Sequence, residues 1–192
     1  MPAKKPVYRL PALSEDNLDP RQRALFDSIR SGPRSKASLG GPFGVYMHSP
    51  EFGELAQQLG AFCRYKTSLE PRLSEFAILV TARHWHAQYE WHAHAPIAET
   101  VGVLPGTISD LKDGRIPTGA PDDEQALYAF ILELYETKRV SDHTYARVHQ
   151  FLGDAATVEL IGILGYYALV AMTLNVFRVP LPADAELPFA EI

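Results

Sequence analysis

Apolar residues recur every three or four positions along most of the chain, and no stretch alternates apolar and polar residues for long enough to predict a strand. A proline directly after a capping residue marks helix starts at Asp19–Pro20 and Ser49–Pro50, and Ser141 is placed to cap a later helix. The pattern therefore predicts an all-α fold. One of these helices carries its apolar residues on a single stripe: Phe52, Leu55, Ala56, Leu59 and Phe62.

Two segments depart from this amphipathic pattern. Residues 33–48 form a glycine-rich connection whose length is typical of a functional or docking loop. Residues 158–177 are apolar on every side, yet they include Glu159 and Asn175. This favours burial in a core or a subunit interface over a membrane span. We therefore expect a homo-oligomer with no membrane partner.

Composition narrows the class of protein. The 192 residues suit one domain over residues 1–192. A net charge of -5 with a pI of about 5.8 argues against a nucleic-acid partner, because binding phosphates requires basic clusters. Cys63 is the only cysteine, which excludes an intramolecular disulfide. The start "MPAKKPVYRLP" has no apolar stretch after its charges and so does not read as a signal peptide, and we expect a cytoplasmic protein.

The segment "ARHWHAQYEWHAHAP" concentrates groups that can bind a metal or transfer a proton. On one helix, His86, Glu90 and His94 would be spaced i, i+4, i+8 and share a face, as zinc or manganese ligands can. No further ligand on another helix is identifiable. Alternatively, Glu90 and His94 form an acid–base pair, joined by Glu75 from the preceding apolar helix. Glu75 could instead only satisfy a polar group of the core, such as Tyr89 or His94.

The stretch "RLSEFAILVTARHWHAQYEWHAHAPIAETVGV" resembles the carboxymuconolactone decarboxylase family, within the alkylhydroperoxidase D-like superfamily. Thiol members of that superfamily carry a glutamate, a C-x-x-C beginning twelve residues later, and a histidine four residues after the second cysteine. That spacing places the glutamate at Glu75, the cysteines at Ala87 and Glu90, and the histidine at His94. The core of the resemblance covers about residues 50–135. The stretches "GPFGVYMHSPEF" and "GYYALVAMTLNVF" extend it to longer relatives of the decarboxylase branch.

The resemblance implies an alkylhydroperoxidase D-like helical bundle that assembles as a trimer or hexamer. It also implies a cofactor-free, metal-free lyase that decarboxylates a small carboxylated lactone or a related intermediate of aromatic-compound breakdown. His94, Glu90 and Glu75 would be the catalytic residues. Because neither cysteine of the C-x-x-C is present, alkylhydroperoxidase activity is disfavoured. A non-catalytic protein that binds small acids or a partner on the same scaffold is the alternative.

Candidate substrate-binding residues surround this motif. An arginine could hold a substrate carboxylate, with Arg83 and then Arg64 as candidates, although a surface or inter-subunit ion pair is the commoner role of any single arginine. The remaining candidates are residues that could wall the cavity or only pack, cap a helix or tie helices together: Tyr89, Trp91, His48 and Asn175.

Overall fold

The computed structural model describes residues 7–190, and within that range it contains eight α-helices, a short 3-10 helix (Glu15–Asn17) and no strand. The predicted all-α fold is confirmed. The helices are α1 (Pro20–Arg30), α2 (Gly41–Tyr46), α3 (Pro50–Tyr65), α4 (Pro71–His84), α5 (Gln88–Thr100), α6 (Pro105–Lys112), α7 (Asp122–Thr137) and α8 (Asp142–Phe177).

Helix α4 is the centre of the bundle. Ten consecutive residues, 73–82, are buried, because α5, α6, α7 and α8 all pack against it. The side chains of Phe76, Ile78 and Leu79 are fully excluded from solvent. Burying such side chains stabilises the fold by about 1.5–3 kcal/mol each, so this helix carries much of the hydrophobic stabilisation. A polar residue within it has to find a partner inside the protein.

The first three helices build a second, smaller core beside the first. Asp19 caps α1 through the backbone N–H groups of Arg21 and Gln22, and the Gln22 side chain accepts from the Asp19 N–H in return. This confirms the predicted helix start. Leu25, Phe26 and Ile29 of α1 pack against α2 and α3. The predicted glycine-rich connection is only partly a loop, because its second half forms α2.

Helix α3 buries its small side chains and exposes its large ones. Gly53 and Gly60 face inward, and an added Cβ would clash with Tyr46 and with the Tyr166 ring, respectively. The large apolar residues predicted from the helical spacing point outward, with Leu55 69% exposed. Periodicity shows that a helix has two faces, but close packing through glycine decides here which face is buried.

Helix α8 is long and apolar but is not continuous. Gly153 interrupts it with a φ of 71° and a ψ of -176°, values that a residue with a side chain rarely adopts. Among residues 7–190, α8 alone is long and apolar enough to cross a bilayer, and 50% of its most apolar window is buried against other helices. Such burial is typical of the core helix of a bundle.

The C-terminal tail returns to the turn between α4 and α5. The Gln88 side chain donates to the carbonyl of Phe189 (2.5 Å) and accepts from its N–H (3.1 Å). The Phe189 ring packs edge-on against Trp91 and lies under the Arg83 guanidinium. The tail thereby fixes the start of α5.

We predict that the outward stripes of α3 and α8 are covered by a second copy of the chain. Each stripe is a helical row of half-exposed or exposed apolar residues, which water disfavours. Light scattering should therefore show an oligomer at micromolar concentration, and Leu55→Glu should shift it towards the monomer. Arg147→Glu, at an exposed polar position of α8, should leave the assembly unchanged. A parent protein that scatters as a monomer would contradict this expectation. The two stripes comprise Phe52, Leu55, Leu59 and Phe62 on α3, and Val158, Ile161, Met172 and Val176 on α8.

Candidate active site

A cavity of about 480 Å³ lies between the 33–43 segment, the end of α3, the first turns of α5 and the C-terminal half of α8. This volume suits a small organic molecule. The cavity is partly apolar, with a few polar and charged groups converging on it. Its principal chemical groups are Arg34, Lys36, Arg64, Tyr89, Glu90, His94, Tyr166 and Tyr167.

A buried carboxylate–imidazole pair lies beside this cavity, and its imidazole, His94, is part of the lining. Glu75 projects from α4, and its Oε2 lies 2.6 Å from the Nδ1 of His94 on α5. Both side chains are buried, so bulk water does not weaken the interaction between them. With Glu75 as a carboxylate, the His94 Nδ1–H is the donor, and this bond fixes the ring and its tautomer. The Nε2 is then the ring atom available to the cavity that His94 lines.

Glu90 reaches the same cavity but has no partner. Glu90 is only 2% exposed, and neither of its carboxyl oxygens has a hydrogen-bond partner among the described residues. Burial raises the pKa of Glu90 well above its usual range, which favours the neutral carboxylic acid. Glu90 and His94 share a cavity and a helix, as predicted, but they are not hydrogen-bonded to each other. Glu75, rather than Glu90, orients the histidine.

Two tyrosines of α8 wall the cavity on the other side. The Tyr167 ring meets the His94 imidazole edge-on, with the centroids 5.1 Å apart. Burial raises the pKa of Tyr167 well above 10, so it stays a neutral hydroxyl beside the histidine. Tyr166 fits beside α3 because Gly60 leaves room for its ring. The site is therefore aromatic on one side and ionisable on the other.

The 33–43 segment closes the cavity through glycine. An added Cβ at Gly41 would lie 2.8 Å from the Tyr89 ring, and the φ of this glycine is 62°. Only glycine combines this backbone conformation with so close an approach. Tyr89, predicted to bind substrate, thus both lines the cavity and supports the segment that covers it.

The helices match a solved structure of the alkylhydroperoxidase AhpD core, an uncharacterized peroxidase-related protein from Ralstonia eutropha JMP134. The TM-score is 0.76, over 93% of this chain and 94% of that chain, and the two sequences are 15% identical. The chain has the AhpD-core fold. The expected alkylhydroperoxidase D-like bundle is confirmed, whereas the decarboxylase branch stays a prediction. No protein-family model and no curated protein matches the chain.

Within the AhpD-core fold, the two positions that the resemblance assigns to cysteine are Ala87 and Glu90. Ala87 is buried at the turn before α5, and Glu90 lies in the first turn of that helix. Cys63 is on α3 and is itself buried, and burial raises the pKa of its thiol to about 11. The cysteine is therefore a poor nucleophile where it stands.

Arg83 and His86 lie outside the cavity. Arg83 donates to the carbonyl of Lys112 and to the Nδ1 of His86, and it borders a different hollow formed by α4, α6 and α7. His86 is in the turn before α5, with a φ of 53°, so it does not continue the helical face of Glu90 and His94. The helical spacing on which the alternative metal site rested is therefore wrong for His86. Among residues 7–190, no three His, Cys, Asp or Glu side chains cluster as metal ligands would.

The other predicted binding residues have structural contacts instead. Asn175 donates to the Trp85 carbonyl (2.6 Å) and so ties α8 to the turn before α5. Trp91 is buried against Phe189, and His48 borders a smaller hollow near the N-terminal segment. None of the three lines the cavity of His94.

Sequence reasoning missed Arg34, Lys36 and the two tyrosines of α8. Arg34 and Lys36 lie in the 33–48 connection, whose length was the one available signal. Tyr166 and Tyr167 were hidden within an apolar run, where nothing marks which residues face a cavity. Arg64, the second arginine considered, does line the site.

The buried Glu90 carboxyl should make the free energy of unfolding depend on pH. Its folded pKa exceeds the unfolded value near 4.5, so the unfolded chain releases this proton first as pH rises. Stability should fall between that value and the folded pKa, because the folded state binds more protons there. Glu90→Gln should remove this loss and unfold at higher urea concentration than the parent at about pH 8, with less difference at about pH 5. Equal midpoints for both proteins at the two pH values would show that Glu90 ionises freely.

Proposed function

We infer that the chain is a cofactor-free acid–base lyase of the carboxymuconolactone decarboxylase type. Its substrate would be a small carboxylated lactone or a related intermediate of aromatic-compound breakdown. The observation that supports this most is the buried Glu75–His94 pair, which opens on a cavity of suitable size beside the unpartnered Glu90. Structural likeness at 15% identity supports the fold only, so the activity rests on these residues.

Decarboxylation breaks the bond between the carboxylate carbon and its neighbouring carbon. The bond's electrons stay on the neighbouring carbon and delocalise onto an adjacent carbonyl oxygen, while CO₂ leaves. Neutral Glu90 can donate a hydrogen bond to that oxygen as it gains charge. His94 takes up a proton from water at Nε2, and the Glu75 carboxylate stabilises the resulting imidazolium. The imidazolium then delivers this proton from Nε2 to the carbanionic carbon and returns to the neutral ring with its Nδ1–H.

The walls of the cavity favour the same step. Tyr167, Val170 and Leu174 present apolar surface to the bound molecule. An apolar environment disfavours a localised carboxylate charge more than the delocalised charge of the transition state. The proposed homo-oligomer would add to this by restricting solvent around α3 and α8.

We expect His94→Ala and His94→Gln each to reduce turnover by about 10²-fold or more, the usual scale for a positioned general acid or base. Glu75→Gln should also reduce turnover, since a neutral amide stabilises an imidazolium less than a carboxylate does. The substrate would be found by screening carboxylated lactones and β-keto acids for CO₂ release. His92→Gln, on the same helix but outside the cavity, is the matched control. If His94→Gln turned over substrate as fast as His92→Gln, the acid–base assignment would be lost.

A second experiment separates this proposal from thiol-dependent peroxide reduction. Cys63→Ala should leave CO₂ release within a few-fold of the parent, because the thiol is buried on α3 and does not line the cavity. The parent should not consume peroxide in the presence of a dithiol reductant. Peroxide consumption that disappears in Cys63→Ala would instead assign a redox activity to the protein.

A further inference from the structure

Three cationic side chains line the cavity, and none has a carboxylate partner among residues 7–190: Arg34, Lys36 and Arg64. The chain as a whole has acidic residues in excess, with 23 Asp and Glu against 18 Lys and Arg. Arg72, whose side chain is 16% exposed, shows how this chain neutralises a largely buried guanidinium, because it forms ion pairs with Asp123 and Glu124 at 2.6 Å each. The cations of the cavity have no such neutralising pair within the described part of the chain.

Arg34 is held in place by groups that leave its charge uncompensated. Its Nη1 donates to the backbone carbonyl of Gln57 (2.9 Å), and its guanidinium lies over the rings of Phe43 and Tyr65. These contacts orient the planar guanidinium, and the hydrogen bond to the Gln57 carbonyl occupies one of its five N–H donors. The remaining donors can bind an anion without a change in the position of the side chain.

Arg64 approaches the cavity from the last turn of α3. The residue is half-buried, and its side chain makes no hydrogen bond to the described residues. Its guanidinium lies 5.4 Å from the centroid of the adjacent Tyr65 ring. Lys36, exposed on the covering segment, adds a third positive charge at the entrance. Among residues 7–190, Glu90 is the only carboxyl that lines the cavity, and its burial without any partner there favours the neutral acid. The cavity is thus net positive in a net negative protein.

We propose that Arg64 and Arg34 bind a carboxylate of a small anionic substrate in this cavity, one that is retained rather than lost as CO₂, with Lys36 drawing the anion to the entrance. The two guanidinium groups come from α3 and from the 33–43 segment, so they would hold the anion between the segment that covers the cavity and the helix beneath it. Guanidinium N–H pairs match a carboxylate in geometry as well as charge. The choice of this cavity as the binding site rests on the proposed function. The carboxylate-binding role that was expected first of Arg83 belongs instead to Arg64, the second candidate, together with Arg34.

Benzoate tests this binding site without requiring turnover. We expect calorimetric titration at low salt to show that the parent binds benzoate more tightly than benzyl alcohol, which has a similar ring but no charge. Arg64→Gln should weaken benzoate binding by about tenfold or more, the scale expected for lost hydrogen bonds to a charged group. Arg64→Lys should weaken it less, because it keeps the charge but loses the fork. Arg147→Gln, at an exposed position of α8 outside the cavity, is the matched control.

Each outcome of the benzoate titration either supports or overturns the proposed anion site. Benzoate binding that is equal in the parent and Arg64→Gln, or no stronger than that of benzyl alcohol, would overturn the proposal, as would a parent that binds no benzoate at millimolar concentration. If circular dichroism shows that Arg64→Gln does not fold, Lys36→Gln decides, since its side chain is exposed: a few-fold weakening of benzoate binding supports the site, and an unchanged affinity refutes it.

The benzoate titration tests the anion site, and the assay of CO₂ release tests the lyase activity, so the two can fail separately. A parent that binds benzoate through Arg64 but releases CO₂ from no substrate would retain the anion site and lose the lyase assignment. A parent that releases CO₂ at a rate dependent on His94 but unaffected by Arg64→Gln would retain the lyase and lose the anion site.

Discussion

A carboxylate inside the most buried helix of the bundle constrains everything around it. Glu75 lies on α4 among ten consecutive buried residues, where an unpaired charge would cost several kcal/mol. The imidazole of His94 is the partner that satisfies it, at 2.6 Å. For the two to meet, α5 must pack along α4 in one register. The contact that relieves the buried charge is therefore the same contact that positions the proposed acid–base group.

The second carboxyl of the site, Glu90, has no partner within the described part of the chain, in contrast to Glu75. Glu90 is as deeply buried as Glu75 but has no partner, so the protein avoids the charge by keeping the proton. One cavity thus holds a carboxyl paired with an imidazole and a carboxyl without a partner. Two similar side chains acquire different roles from their surroundings, which is how proteins commonly separate proton donors from proton acceptors.

The sequence predicts most of the helices, the caps at Asp19 and Ser141, and the grouping of Glu75, Glu90 and His94, because these depend on local spacing and on a motif confined to about twenty residues. Ser49 stands at the start of α3 as predicted, but its side chain makes no capping hydrogen bond. It does not predict which glutamate pairs with the histidine, since that depends on how α4 and α5 pack. It also fails for Arg83, whose position next to the motif in sequence does not place it in the cavity. Arg34 reaches the site from a distant segment, and only tertiary structure reveals such a residue.

The tail that binds Gln88 has a consequence for how the site forms during synthesis. Gln88 and Phe189 are 101 residues apart, and their two hydrogen bonds fix the turn from which α5 begins. The helix that carries Glu90 and His94 can form early, but its start is fixed only after residue 189 has been synthesised and has folded back onto the turn. A chain cut before Phe189 would keep all eight helices and lose the two hydrogen bonds that fix the first turn of α5.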